Sequence, residues 1–204
     1  MEAFWNNRYK EKEFAYGTAP NQFFKESINK LKIKGTILLP AEGEGRNAVY
    51  AAKKGLKVTA FDISVEGKNK AEKLANNENV QIDYKVGELH QLDFKPHSFD
   101  LLALIYAHFP KNKKELHQKL SKLIKPNGYI ILEGFSVKNL SYREKNPNVG
   151  GPADVNMLFT KEEMTTMFAN FETLLLEQKE IELNEGDYHN GVANVIRYIG
   201  RKKR

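Results

Sequence analysis

The feature that most constrains this chain lies between Ile37 and Asp62. An apolar run, Ile37-Leu38-Leu39, leads into Pro40-Ala41-Glu42-Gly43-Glu44-Gly45-Arg46-Asn47, followed by an alanine-rich helical stretch and a second apolar run that closes on Asp62. Strand, glycine loop, helix, strand and acid in this order make half of a nucleotide-binding unit, in which Gly43 and Gly45 free the backbone to approach a ligand. Asp62 falls 19 residues after Gly43, near the spacing at which a carboxylate meets ribose hydroxyls. The pattern predicts an adenosine-containing cofactor.

Gly43-Glu44-Gly45-Arg46-Asn47-Ala48 also fits the G-x-G-x-x-G/A dinucleotide fingerprint. Charge discriminates between cofactors. Glu42 and Glu44 flank the place where a dinucleotide would set its pyrophosphate, and like charges repel in a partly desolvated cleft. S-adenosylmethionine (SAM) has no phosphate, and its sulfonium and ammonium are cations that such a loop attracts. Arg46 works against this, since it neutralises one acid or reaches a phosphate. The expected cofactor is SAM. An NAD(P)-dependent oxidoreductase and a non-catalytic SAM-binding module are the alternatives.

With 204 residues and 41% hydrophobic content, the chain suits one core and is short for two full domains. No apolar run approaches the roughly 20 residues that span a bilayer, and Met1-Glu2-Ala3-Phe4-Trp5-Asn6 lacks the basic start and apolar middle of a secretory signal. No membrane association is expected, and the cytoplasm is the default compartment. Absence of cysteine excludes disulfides, thiolate metal sites and a cysteine nucleophile. Of the formal charge of +6, Arg201-Lys202-Lys203-Arg204 supplies four. Most other lysines stand among acids on helix faces, so no nucleic-acid groove is expected.

Apolar periodicity alternates between strand and helix. Residues 21–31 read as a helix introduced by Pro20 and ended by Gly35; 36–39 as strand one; 47–54 as a helix stopped by Gly55; 57–62 as strand two. Ser64 caps a helix running to about Asn76. Strand three covers 81–85, and the loop Val86-Gly87-Glu88-Leu89 follows it. Strand four, 99–106, is almost continuously apolar, as in a strand covered on both faces. Residues 113–124 have helical spacing, and Pro126-Asn127-Gly128 turns into strand five, 129–133. Residues 139–157 read as a flexible surface segment near the ligand. Thr160-Lys161-Glu162-Glu163 is a capping box, and 172–183 with 192–200 read as an antiparallel pair.

The order of elements, the loop over 42–47, Asp62 and Leu123-Ile124-Lys125-Pro126-Asn127-Gly128-Tyr129 resemble a class I SAM-dependent methyltransferase. Phe4-Trp5-Asn6-Asn7-Arg8-Tyr9, Ala15-Tyr16-Gly17-Thr18 and Ile105-Tyr106-Ala107-His108-Phe109-Pro110 resemble, more narrowly, its tellurite-resistance and thiopurine methyltransferase-like branch. The resemblance implies a doubly wound, Rossmann-like α/β fold. Its seven-stranded sheet would be mostly parallel, with an antiparallel C-terminal hairpin. It implies one methyltransferase domain over 1–204, with 1–34 a helical lid region and 35–204 the core.

The implied cofactor site is Ala41, Glu42, Gly43, Gly45 and Asn47 beneath the methionine part of SAM, Asp62 at the ribose, Ile63 on adenine, and Glu88 and Leu89 at the adenine edge. Tyr106 and His108 follow strand four beside the transfer point. Where the family has an acid, an apolar residue and glycine, this chain has Leu39, Pro40 and Ala41, so Glu42 is the candidate substitute for the missing acid.

Each residue also has a plainer reading. Asp62 could cap the next helix, Glu88 could be an exposed loop acid, and His108 a neutral histidine bonded to a backbone carbonyl. Trp5, Tyr9 and Tyr16 could cover the core or close over the cofactor. Tyr188 and His189 could touch substrate or pack a turn. His90, His97 and His117 lack ligand spacing, so no metal is expected. The expected reaction is in-line attack by a heteroatom of a small-molecule acceptor on the SAM methyl group. His108 is the first candidate base and Tyr106 the second.

Overall fold

The computed structural model describes residues 1–109 and 112–204; Pro110, the last residue of the motif after strand four, lies outside them. Strands β1 (Thr36–Pro40), β2 (Lys57–Asp62), β3 (Asp83–Val86), β4 (Phe99–Ile105) and β5 (Ile124–Phe135) run parallel. With β6 (Phe171–Asn184) and β7 (Asn190–Lys202) they form one sheet in the order β3-β2-β1-β4-β5-β7-β6, and β7 alone runs against the rest. After β3 at one edge the chain returns to place β4 on the other side of β1. The carboxyl ends of β1 and β4 therefore open a crevice at the point where winding reverses, the position where open α/β sheets bind ligands.

Alternate side chains of each central strand enter opposite layers, as the pleat requires. Leu38, Leu102, Leu104, Ile130 and Leu132 pack with Leu120, Phe159, Met164 and Phe168 on one face. Ile37, Leu39, Leu101, Ala103, Ile105 and Ile131 pack with Phe24, Ile28, Ala48, Ala51 and Ala71 on the other. The second layer comes from α2 (Gln22–Leu31), α3 (Arg46–Lys53) and α4 (Val65–Asn77); the first comes from α5 (Lys113–Lys122) and a helix over Lys161–Met167. Asn21 and Ser64 cap α2 and α4 by accepting from Phe24 and Gly67 N–H groups. Thr160 and Glu163 form the expected capping box. An N-terminal helix, Glu2–Tyr9, lies across the start of α4, where Asn6 Oδ1 accepts from the Ser64 hydroxyl at 2.6 Å.

Three details differ from the sequence reading. Helix α2 ends at Leu31 as read, but the residue that stops it is Lys32, left-handed with φ 50°, rather than Gly35. Strand β5 begins at Ile124 and absorbs Pro126-Asn127-Gly128 as a bulge, because its register against β4 jumps between Phe99 and Leu101. Residues 139–157, read as a flexible segment, instead fold into a short helix, Asn139–Lys145, and two 3₁₀ turns, Pro147–Val149 and Val155–Met157. Buried Asn139 organises them, accepting the Asn194 N–H at 3.0 Å and donating to the Gly150 carbonyl at 3.3 Å. Such a polar brace leaves no apolar periodicity to read. Among the described residues no helix is long and apolar enough to cross a membrane.

Gly45 joins loop to core. At φ 87° it sits against α4, and a methyl group there would lie 2.5 Å from Ala71 Cβ and 2.8 Å from its Cα. Gly45→Ala is expected to cost about 2–3 kcal/mol through overpacking and left-handed strain. Ala71→Gly in the same chain should restore part of that loss in urea melts; no loss in the single variant would contradict this packing.

Candidate active site

The glycine loop lacks the usual means of capping a helix. Gly45 is the N-cap of α3 and has no side chain. Glu42 takes over: its Oε1 accepts from the Asn47 N–H at 2.8 Å and the Ala48 N–H at 2.7 Å, which would otherwise be orphan donors of the first turn. Burial raises the Glu42 carboxyl to about 7, against the opposing pull of those N–H groups and Arg46. Ala41, where the family resemblance calls for glycine, holds φ 52°. Asn47 turns toward the N-terminal segment, its Oδ1 accepting the Asn21 N–H at 2.9 Å.

Glu44 and Arg46 are also committed. Glu44 accepts from the Ala15 N–H at 2.8 Å and pairs with Lys70 at 2.7 Å; Arg46 pairs with Glu185 at 2.8 Å. The loop therefore presents less bare negative charge than its sequence implies, and the charge argument for SAM is correspondingly weaker.

Asp62 closes β2 and holds the loop from the other side. Its two oxygens accept from Gly43 N–H at 3.1 Å and Ser64 N–H at 3.0 Å, while burial raises its carboxyl to about 6. Tyr84 donates to the Gly43 carbonyl at 2.6 Å. Half-buried Ile63 and Leu89 continue the wall, and exposed Glu88 caps the 3₁₀ turn Leu89–Gln91 at its rim. All the predicted residues except the helix-facing Gly45 line one cavity of about 700 Å³.

Tyr106 and His108 reach the same cavity, in states that do not suit the base role expected of them. His108 uses both ring nitrogens: Nδ1 lies 2.8 Å from the Met157 carbonyl, and Nε2 accepts the Phe135 N–H at 3.1 Å. Burial between Phe135 and Phe159 lowers its pKa to about 3. The plainer reading, a neutral histidine bonded to a carbonyl, describes it. Tyr106 donates to Glu133 at 3.0 Å, and burial raises its pKa well above the usual tyrosine value. Neither offers a free lone pair of a basic group to the cavity.

His189 is the further candidate. On the β6–β7 connection, its Nδ1 lies 3.2 Å from Glu185 Oε2, its Nε2 bonds to none of the described residues, and the residue lines the cavity. Its ring packs against Tyr16 and Tyr106, each with centroids at 4.5 Å. Burial depresses the imidazole, Glu185 opposing. Burial would raise Glu185, but its bonds and charges from His189 and Arg46 prevail and bring it to about 2.

Residues 37–128, which contain the loop, Asp62 and Glu88, match the methyltransferase domain family. The match spans less than half of the chain. A SAM-dependent methyltransferase from Methanosarcina mazei is similar in structure, with TM-score 0.65, 20% identity and coverage of 82% of this chain and 92% of that one. TehB from Haemophilus influenzae is similar with TM-score 0.69 and 15% identity, covering 99% of this chain and 67% of that one. A tRNA (uracil(54)-C(5))-methyltransferase from Pyrococcus furiosus is 28% identical over 141 residues. That match covers 63% of this chain and a third (33%) of the relative.

The donor set fits the SAM expected from the sequence: a buried carboxylate closes β2, apolar side chains follow, and the one arginine of the glycine loop is already taken by Glu185. Sequence reasoning left Glu185 out of the methyltransferase site and His189 undecided. The one local signal, Glu185 and His189 four residues apart in a hairpin, gains meaning only from contacts with Arg46 and Tyr106, far away in sequence.

Because burial raises Glu42 from 4.5 to about 7, the folded chain holds a proton that the unfolded chain has released between those values. Stability tied to this group is greatest below the lower value and falls as pH rises through the upper. The stability of the natural chain minus that of Glu42→Gln should decline between about pH 5 and 8, by on the order of 2 kcal/mol. Parallel stability curves from urea melts would contradict it.

Proposed function

We propose that this protein methylates a heteroatom of a small-molecule acceptor, releasing S-adenosylhomocysteine. The observation that carries this reading is the single cavity running from the glycine loop to His189 beneath the N-terminal helix, large enough for a cofactor and a second small molecule. When bound, SAM supplies a methyl group already activated on sulfur. The protein's work is then alignment and exclusion of water rather than covalent catalysis.

In this reading Ala41, Glu42, Gly43, Gly45 and Asn47 shape the methionine cradle, Asp62 accepts from the ribose hydroxyls, Ile63 packs on adenine, and Glu88 and Leu89 meet its edge. Residues 1–34 act as the lid of a single domain whose core is 35–204, Trp5 and Tyr9 stacking with ring centroids 5.4 Å apart. Held there, SAM would supply its methyl group to the acceptor's heteroatom, with S-adenosylhomocysteine as the leaving product. A proton on that heteroatom passes to His189 Nε2, held in the right tautomer by Glu185. Tyr106 and His108 shape the transfer point. The branch resemblance favours a soft acceptor atom, and a cytoplasmic setting accords with a chain that has no cysteine.

Asp62→Asn is expected to weaken SAM about tenfold or more in calorimetric titration; unchanged affinity would remove Asp62 from the ribose. His189→Gln should lower kcat about 100-fold with a protic acceptor, leave SAM affinity unchanged and flatten the acid limb of the pH–rate profile. An acceptor screen read by S-adenosylhomocysteine release should find a small thiol or hydroxyl compound; turnover on transfer RNA alone would instead favour the chemistry named for the Pyrococcus relative.

A further inference from the structure

Three arginines line the cavity: Arg8, Arg46 and Arg143. Arg46 is paired with Glu185. The other two have no carboxylate at salt-bridge distance among the described residues. Arg8 donates to the Tyr16 hydroxyl at 2.9 Å, and its guanidinium carbon lies 4.0 Å from the Tyr188 ring centroid. Arg143 gives its Nε to the Gly151 carbonyl at 3.1 Å, and its terminal nitrogens bond to none of the described residues.

Two guanidiniums without a carboxylate partner in one partly enclosed, largely apolar site call for anions. SAM brings one carboxylate. Arg8 is held by the Tyr16 hydroxyl and the rings of Phe4, Trp5 and Tyr188, and its neighbour Tyr9 lies over Gly43, which suits it to the cofactor's carboxylate. Arg143 comes from the helix Asn139–Lys145 and its terminal nitrogens have no such hold. Its anchor Gly151 follows Gly150, whose backbone is packed so closely on the hairpin that a methyl group there would lie 2.3 Å from the Tyr188 carbonyl oxygen and 2.9 Å from His189 Cδ2. Pro147, Pro152 and Met157 line the cavity around it. The second cation therefore lines the cavity from a segment packed against the hairpin that carries His189, in a cavity also lined by apolar side chains.

Resting on the methyl-transfer reading above, we propose that the acceptor is an organic anion, an apolar body bearing a carboxylate or similar oxyanion, and that Arg143 is the residue that selects it. The planar fork of Arg143 bonds the anionic group through its terminal nitrogens, so the nucleophilic atom at the other end of the molecule points toward His189. Arg143 is a specificity residue and takes no part in proton transfer.

The test uses two thiols of the same shape, 4-mercaptobenzoate and 4-mercaptobenzamide, titrated calorimetrically into the full chain loaded with S-adenosylhomocysteine. The carboxylate should bind about tenfold tighter than the amide. Arg143→Gln should erase that preference, Arg143→Lys should keep part of it, and both variants should retain the affinity for S-adenosylhomocysteine, which shows them folded. Equal binding of the two thiols to the natural chain, or a preference that survives Arg143→Gln, overturns the proposal. Selective binding of the carboxylate without methylation of either thiol upholds the anion site and counts instead against the transfer reading.

Discussion

Two buried carboxylates grip the glycine loop by its backbone. Glu42 holds the first N–H groups of α3 from within the loop, and Asp62 holds Gly43 from the end of the neighbouring strand. Each is costly to bury as an ion, and each offsets part of that cost by accepting bonds from donors of the loop that would otherwise lack a partner. The crevice depends on this arrangement. A loop tied at both flanks keeps its left-handed residues, Ala41, Gly43 and Gly45, in place, and with them the shape of the cavity floor.

The loop's outward-facing residues fasten the N-terminal segment over that floor. Glu44 takes Ala15, Arg46 takes the Tyr16 carbonyl and Glu185, and Asn47 takes Asn21. Asn21 in turn donates to Glu133 at 2.6 Å, and Glu133 receives Tyr106 and Arg197. One polar network thus runs from the cofactor loop through the covering segment to the last strand. The buried acids and arginines in this region need one another, since removing one partner leaves a charge uncompensated away from water.

Much of the fold was legible because its signals are local. The apolar runs of β1, β2 and β4, the caps at Ser64 and Thr160, and the hairpin around 184–190 each follow from a few adjacent residues. The loop and Asp62 were legible for the same reason, as a motif with a spacing. What was hidden depends on distant partners. The segment 139–157 gained a helix from a buried asparagine bonded to β7, β5 gained a bulge from its register with β4, and His108 lost its expected role to two backbone groups that no spacing could reveal. His189 was visible as a residue but not as a site, because its meaning comes from Glu185, Tyr16 and Tyr106 converging on it.

The placement of β7 has a consequence for synthesis. This strand lies between β5 and β6 in the sheet though it follows both in the chain, and the hairpin before it carries Glu185 and His189. While the ribosome is still adding residues 185–202, the inner edge of β5 has no neighbour, Arg46 has no counter-ion and Asn21 has only part of its anchor. The cofactor loop is made early, yet the enclosure around it closes only when the last strand slides between its two predecessors. A nascent chain at that stage is therefore an open sheet with a charged, unfinished cleft, and its dependence on chaperones should fall once β7 is in place.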